Sequence, residues 1–125
     1  MKKNLAKRMV IAALLTTWMA CPYTALAQDY EGGTNANGGA KYVNKGEIFD
    51  VEENSSFTHN QSTAQNYGGG AIYNDGGTVN IGNGTSFVEN YLNQPVIDTT
   101  DKDYRSAGGA IASWNGGSVN IGNNV

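Results

Sequence analysis

Polar and apolar positions alternate along Thr78-Val79-Asn80-Ile81, and the alternation returns at Ser118-Val119-Asn120-Ile121. A period of two puts Val79 and Ile81 on one face of an extended strand and Thr78 and Asn80 on the other. Short runs of this kind, bounded by Gly, Asn and Asp, predict β-strands. After Ala27 no stretch carries apolar residues at i, i+3, i+4 and i+7, so no amphipathic helix is expected. The pattern is all-β.

The strands belong to a repeat. Gly76-Gly77-Thr78-Val79-Asn80-Ile81-Gly82-Asn83 recurs as Gly116-Gly117-Ser118-Val119-Asn120-Ile121-Gly122-Asn123, an offset of 40. Upstream of each copy stands Gly-Gly-Ala-Ile, at Gly69, Gly70, Ala71, Ile72 and at Gly108, Gly109, Ala110, Ile111, an offset of 39. One residue is therefore inserted where Tyr73-Asn74-Asp75 becomes Ala112-Ser113-Trp114-Asn115. A weaker copy lies earlier. Gly38-Gly39-Ala40 precedes Gly69-Gly70-Ala71 by 31, and Phe49-Asp50-Val51 precedes Val79-Asn80-Ile81 by 30. Phe57-Thr58-His59-Asn60 precedes Phe87-Val88-Glu89-Asn90 by 30 as well.

Self-similarity at such a period means stacked units, none of which can bury its apolar face alone. A β-sandwich has no need of the same side chain at the same place in each unit. A parallel β-helix does, because equivalent positions of successive coils lie about 4.8 Å apart in one sheet. The expected inward columns are Phe49/Val79/Val119, Val51/Ile81/Ile121 and Phe57/Phe87, with Val79, Ile81 and Phe87 buried in the middle coil. Asn80 over Asn120 is expected as an outward ladder and Asn60 over Asn90 as a turn ladder. Gly-Gly is expected at corners that need backbone dihedrals closed to other residues. The fold expected is a solenoid fragment of about three coils over residues 38–125, truncated within the third unit. Residues 28–37 read as an N-terminal linker or cap.

The first 27 residues read differently. Lys2, Lys3, Lys7 and Arg8 form a basic head, and Met9 to Ala20 is an apolar run too short to span a bilayer. Pro22 follows, and Ala25 and Ala27 place small residues where a signal peptidase reads, so cleavage before Gln28 is expected. A lipoprotein anchor at Cys21 fits poorly, with Trp18 where a small or Leu-like residue belongs. Removal of this segment takes away the single cysteine, so stacking rather than disulfides must hold the exported part. It also leaves four bases against eleven acids, a formal charge of −7. Such a chain offers no electrostatic footprint for nucleic acid or for an anionic membrane.

Gly-Gly-Ala-Ile at Gly69–Ile72 and Gly108–Ile111, paired with Phe-x-x-Asn at Phe57–Asn60 and Phe87–Asn90, resembles the repeat of the polymorphic outer-membrane proteins of Chlamydiae and of related autotransporter adhesins. Gly38-Gly39-Ala40-Lys41 departs from that pattern, with Lys41 in place of Ile. The resemblance spans about Gly38 to Val125. It implies a right-handed parallel β-helix passenger at the cell surface or outer membrane of a Gram-negative bacterium. Export would be by a C-terminal β-barrel that lies outside this sequence, which would also be the only membrane partner. It further implies an adhesive role toward a host-cell or surface receptor, or a glycan.

The longest departure from the repeat runs from Tyr91 to Ala107, 17 residues where Gln61 to Gly68 has 8. Insertions in solenoids map to loops on one face, often the binding face. Tyr91, Asp98, Asp101, Asp103, Tyr104 and Arg105 make this one a candidate binding loop, although a surface insertion without a partner is equally compatible with the sequence. The three aspartates lack the spacing of an EF-hand, and no Gly-Gly-x-Gly-x-Asp occurs, so no metal site is assigned. His59 stands where the next unit has Glu89 and reads as a solvent-facing turn residue. Tyr42 and Tyr73 align at offset 31 on the outward side, where stacked rings could hold a sugar, but the next copy has Ala112.

No nucleophile motif or phosphate loop occurs, and Glu47, Asp75 and Glu89 fall at different registers. The expectation is a non-enzymatic adhesin passenger without a cofactor. The alternative is the N-terminal part of a secreted carbohydrate-active β-helix enzyme, a polysaccharide lyase or hydrolase.

Overall fold

The computed structural model describes residues 26–63, 68–93 and 108–125. The described residues form twelve short strands and no helix. They are β1 (Asp29–Glu31), β2 (Thr34–Asn35), β3 (Lys41–Val43), β4 (Ile48–Val51), β5 (Ser56–Thr58) and β6 (Gln61–Ser62). The rest are β7 (Ile72–Asp75), β8 (Thr78–Ile81), β9 (Ser86–Val88), β10 (Tyr91–Leu92), β11 (Ile111–Trp114) and β12 (Ser118–Ile121). Every fourth strand returns to the same sheet. The orders are β1-β5-β9, β2-β6-β10, β3-β7-β11 and β4-β8-β12, all parallel. This is a parallel β-helix of about three coils, each with four strands.

The register is the one the repeat predicts. Val79 pairs with Phe49 and Val119, and Ile81 with Val51 and Ile121. Ile72 pairs with Ile111 at offset 39, while Thr78 pairs with Ser118 at offset 40. Since Trp114 pairs with Asp75, the inserted residue is Asn115. It takes φ of +50° just before Gly116 at +77°, so the extra residue is absorbed in a left-handed turn and the strands on either side keep their faces. Val43, Val51, Phe57, Ala71, Ile72, Val79 and Ile81 form the buried core. Tyr30, Ala40, Phe49, Phe87, Ile111 and Val119 pack against it from the two outer layers.

Three readings are refined. Residues 28–37 are part of the stack: β1 and β2 pair with β5 and β6, and Tyr30 heads the Phe57/Phe87 column. The rings are stacked, Tyr30 to Phe57 at 4.4 Å and Phe57 to Phe87 at 4.8 Å. Counted from β1, Phe57 is the middle ring, and Phe87 lies in the last layer and is only partly buried.

The second concerns glycine. None of Gly38, Gly39, Gly69, Gly70, Gly108 or Gly109 has positive φ. At all but Gly109 the backbone packs against itself too closely for a Cβ. A Cβ on Gly69 would lie 1.8 Å from the Ile72 carbonyl oxygen, and one on Gly70 would lie 1.9 Å from that of Gly109. Left-handed φ occurs between the third and fourth strands of each coil, at Gly46 and at the first glycine of the pairs Gly76-Gly77 and Gly116-Gly117, where the expected dihedrals are found.

The third is Lys41. It occupies the column of Ile72 and Ile111 in the first layer. Its ammonium pairs with Glu47 at 2.6 Å and sits 5.2 Å from the Phe49 ring centre, so its stem covers apolar surface while its charge stays wet.

Candidate functional surface

Outward side chains line up in ladders because a parallel stack repeats them every coil. Asn120 donates to Asn80 Oδ1 at 2.7 Å, and Asn80 donates in turn to Asp50 at 2.6 Å. Asn83 donates to Glu53 at 2.8 Å, and Ser56 to Asp29 at 2.6 Å. Each of these ladders ends on a first-coil carboxylate, and Tyr91 donates to Gln61 at 2.9 Å on another face.

The turn ladder is buried. Asn60 is fully enclosed and holds three coils together. Its Nδ2 donates to Tyr30 O and to Asn90 Oδ1, its backbone N–H donates to the same Oδ1, and its Oδ1 accepts from Gly33 N. A buried amide has to satisfy every donor and acceptor it carries, and this one does. Asn74 is a second buried amide, which the sequence reading missed. It donates to Gly77 O, Ser113 Oγ and Ser118 O and accepts from Gly77 N, closing the turn after β7. The signal was present: Asn74 stands two residues after the inward Ile72, on the same face, in the column of Val43.

On the outside of β3-β7-β11, the rings of Tyr42 and Tyr73 lie 5.4 Å apart, tilted by 36°. Tyr42 donates its phenol proton to Asp75 at 2.7 Å, and Asn115 donates to the other oxygen of the same carboxylate. The bond to Asp75 pushes the Tyr42 phenol up to about 12, with burial and the carboxylate charge adding to it. The donors from Tyr42 and Asn115 hold the Asp75 carboxyl below its ordinary value. Glu47, bonded to Lys41 and to the Asn44 backbone and side chain, is lowered to about 2.

The residues singled out from the sequence separate cleanly. Ala71 and Ile72 are core. Gly69 bridges to Gly38, and the Asn60 backbone N–H and Nδ2 donate to Asn90 Oδ1. Ile111 begins β11, and the Ala110 carbonyl accepts from the N–H groups of Ala71 and Ile72. Gly108 repeats the crowding of Gly69, whereas Gly109, in the last layer, has nothing close to its missing Cβ. Tyr91 opens β10 and is half exposed. Asp98, Asp101, Asp103, Tyr104 and Arg105 lie outside the described residues, as does Ala25. Gln28 joins the stack: its N–H donates to Ser55 Oγ at 3.0 Å and its carbonyl accepts from Ser56 N at 2.9 Å. His59 takes φ of +54°, is largely exposed and pairs with Glu89 at 2.6 Å. Among the described residues, no group of three or more His, Cys, Asp or Glu could hold a metal ion.

The sequence matches no protein-family model, no curated protein and no solved structure.

Proposed function

We propose that this chain is a non-enzymatic adhesin passenger fragment of an autotransporter-like outer-membrane protein, exported and displayed at a Gram-negative cell surface. The observation that carries the reading is how the carboxylates are used. Asp50, Glu53 and Asp75 accept hydrogen bonds from neighbouring coils, and Glu47 is tied to Lys41. A hydrolase or lyase needs carboxylates free to take and give protons beside a substrate. Here Asp50, Glu53 and Asp75 tie coils together and Glu47 is held within the first coil, and the laddered outer surface they belong to is suited to recognition.

Export is supported by where the stack takes up the chain. Gln28 is hydrogen-bonded into it, while Leu26 is 79% exposed. N-terminal sequencing of exported protein should begin at Gln28; an acylated Cys21 at the terminus would make the protein a lipoprotein.

The test of function is display of the chain on a non-adherent bacterium followed by counting bound host cells. Binding above the empty-display control supports the reading, and replacing 91–107 with the shorter 61–68 connection should weaken it. Absence of adhesion together with cleavage of a polysaccharide would favour the carbohydrate-active enzyme.

A further inference from the structure

A cleft of about 380 Å³ opens beside the tyrosine ladder, lined by Asn35, Ala36, Asn37, Gly38, Ala40 and Tyr42. Its volume falls in the range of small-ligand sites. We propose that this cleft binds a neutral sugar unit, with the pyranose C–H face against the Tyr42 ring and its hydroxyls on the Asn35 and Asn37 amides. The proposal rests on the adhesive reading for its setting and names the ligand class.

The ring is held in place before any ligand arrives. Tyr42 is bonded through its hydroxyl to Asp75 and backed by Tyr73, which is only 7% exposed although it points outward. A fixed aromatic face costs little entropy to use, and it pairs an apolar surface with polar surroundings, as sugars do.

The cleft floor is fixed by backbone. Gly38 is buried, and a Cβ there would lie 2.2 Å from the Lys41 carbonyl oxygen. The Asn37 carbonyl accepts from Ser62 Oγ and from Gly69 N, both at 3.0 Å, which pins the loop. The amides remain available. Asn37 is exposed and its side chain has no partner among the described residues. Asn35 spends one N–H on the Gly39 carbonyl at 2.8 Å and keeps its oxygen as an acceptor.

Charge selects the class of sugar. Among the described lining residues only the Tyr42 phenol can ionise, and its proton is engaged by Asp75. With eleven acids against four bases after Ala27, sulfated and sialylated glycans are repelled.

The experiment is calorimetric titration of the purified protein with cellotetraose, maltotetraose and chitotetraose, beside sialyllactose and a sulfated disaccharide. At least one neutral tetrasaccharide should bind and neither anionic sugar should. Tyr42→Ala should weaken binding about tenfold or more, Asn37→Ala by several-fold, and Tyr42→Phe, which keeps the ring, the least. Circular dichroism melts check that each variant is folded, and Asn37→Ala, at an exposed side chain, keeps the test valid if Tyr42→Ala is not. No binding of any neutral sugar, a preference for the anionic ones, or a folded Asn37→Ala variant with unchanged affinity would overturn the site. The two readings separate: sugar binding by a chain that does not adhere to cells removes adhesion and keeps the site, while adhesion without sugar binding removes the site alone.

Discussion

The middle and last coils carry almost the same sequence and live in different surroundings. Gly76–Asn83 and Gly116–Asn123 differ only by Thr78 against Ser118. Yet Ile81 is 4% exposed and Ile121 is 61% exposed. Val79 is fully enclosed while Val119 is only partly so. The strand β8 is paired on both sides, by β4 and by β12, and β12 is paired on one. In a solenoid, burial belongs to the neighbour and not to the side chain, so stability is close to a sum over interfaces between coils. Equivalent substitutions in the two coils should therefore differ in cost, and that difference can be measured.

The largest contrast is expected for a charge in the core column. Ile81→Asp should cost about 3–5 kcal/mol and leave the protein largely unfolded, whereas Ile121→Asp should cost about 1 kcal/mol or less. Thr78→Asp, on the outward face next to the core, should stay within about 0.5 kcal/mol. Urea titration followed by circular dichroism reads all three, and equal losses at 81 and 121 would end the comparison.

Glycine gives the next contrast. Gly70→Ala drives a methyl into the Gly109 carbonyl and should cost about 2–3 kcal/mol, because backbone on both sides has little room to move. Gly109→Ala meets nothing closer than the Asn90 carbonyl oxygen at 3.7 Å and should be neutral, or stabilising by up to about 1 kcal/mol. Thermal melts of the pair decide it.

The two Asn ladders differ in the same sense. Asn60→Ala strands the Gly33 N–H, the Tyr30 carbonyl and one acceptor on Asn90, and should cost about 2–3 kcal/mol. Asn120→Ala, at an exposed ladder end, should cost less than about 0.5 kcal/mol.

The smallest effect is the pH dependence carried by the Lys41–Glu47 pair in the first coil. The Glu47 carboxyl is lowered from 4.5 to about 2 in the folded state. Its contribution is therefore present above the unfolded value and is lost as pH falls from about 4.5 through about 2. Glu47→Gln should flatten the acid limb of the stability curve across that window. An unchanged acid limb would mean that the Lys41 pair is decorative.

Much of this architecture was legible because a repeat reports its own register. The offsets of 30, 39 and 40 fix which residues pair, and the period of two fixes which of them face inward. The columns of Val79, Ile81 and Phe57 and the ladders at Asn80 and Asn60 followed directly. Tyr30 was missed because its unit, Tyr30-Glu31-Gly32-Gly33, keeps only the aromatic of Phe-x-x-Asn. Gly33 has no side chain with which to announce the ladder that it closes with a backbone N–H. The tyrosine ladder was visible as an offset, but the cleft beside it was not, since its walls come from a bend between two strands.

What the sequence determined alone is periodicity: parallel coils, their register and the inward face, because like must stack on like at one strand spacing. What only the tertiary structure decided is context. It divided the Gly-Gly pairs between close backbone approach before Ala and left-handed dihedrals at Gly76 and Gly116, drew Lys41 over the Phe49 ring, and buried Asn60 and Asn74 where their amides could be fully paired. It also gave two nearly identical strands different burial. Those outcomes depend on which atoms arrive from the coils above and below, and a local pattern carries no record of its neighbours.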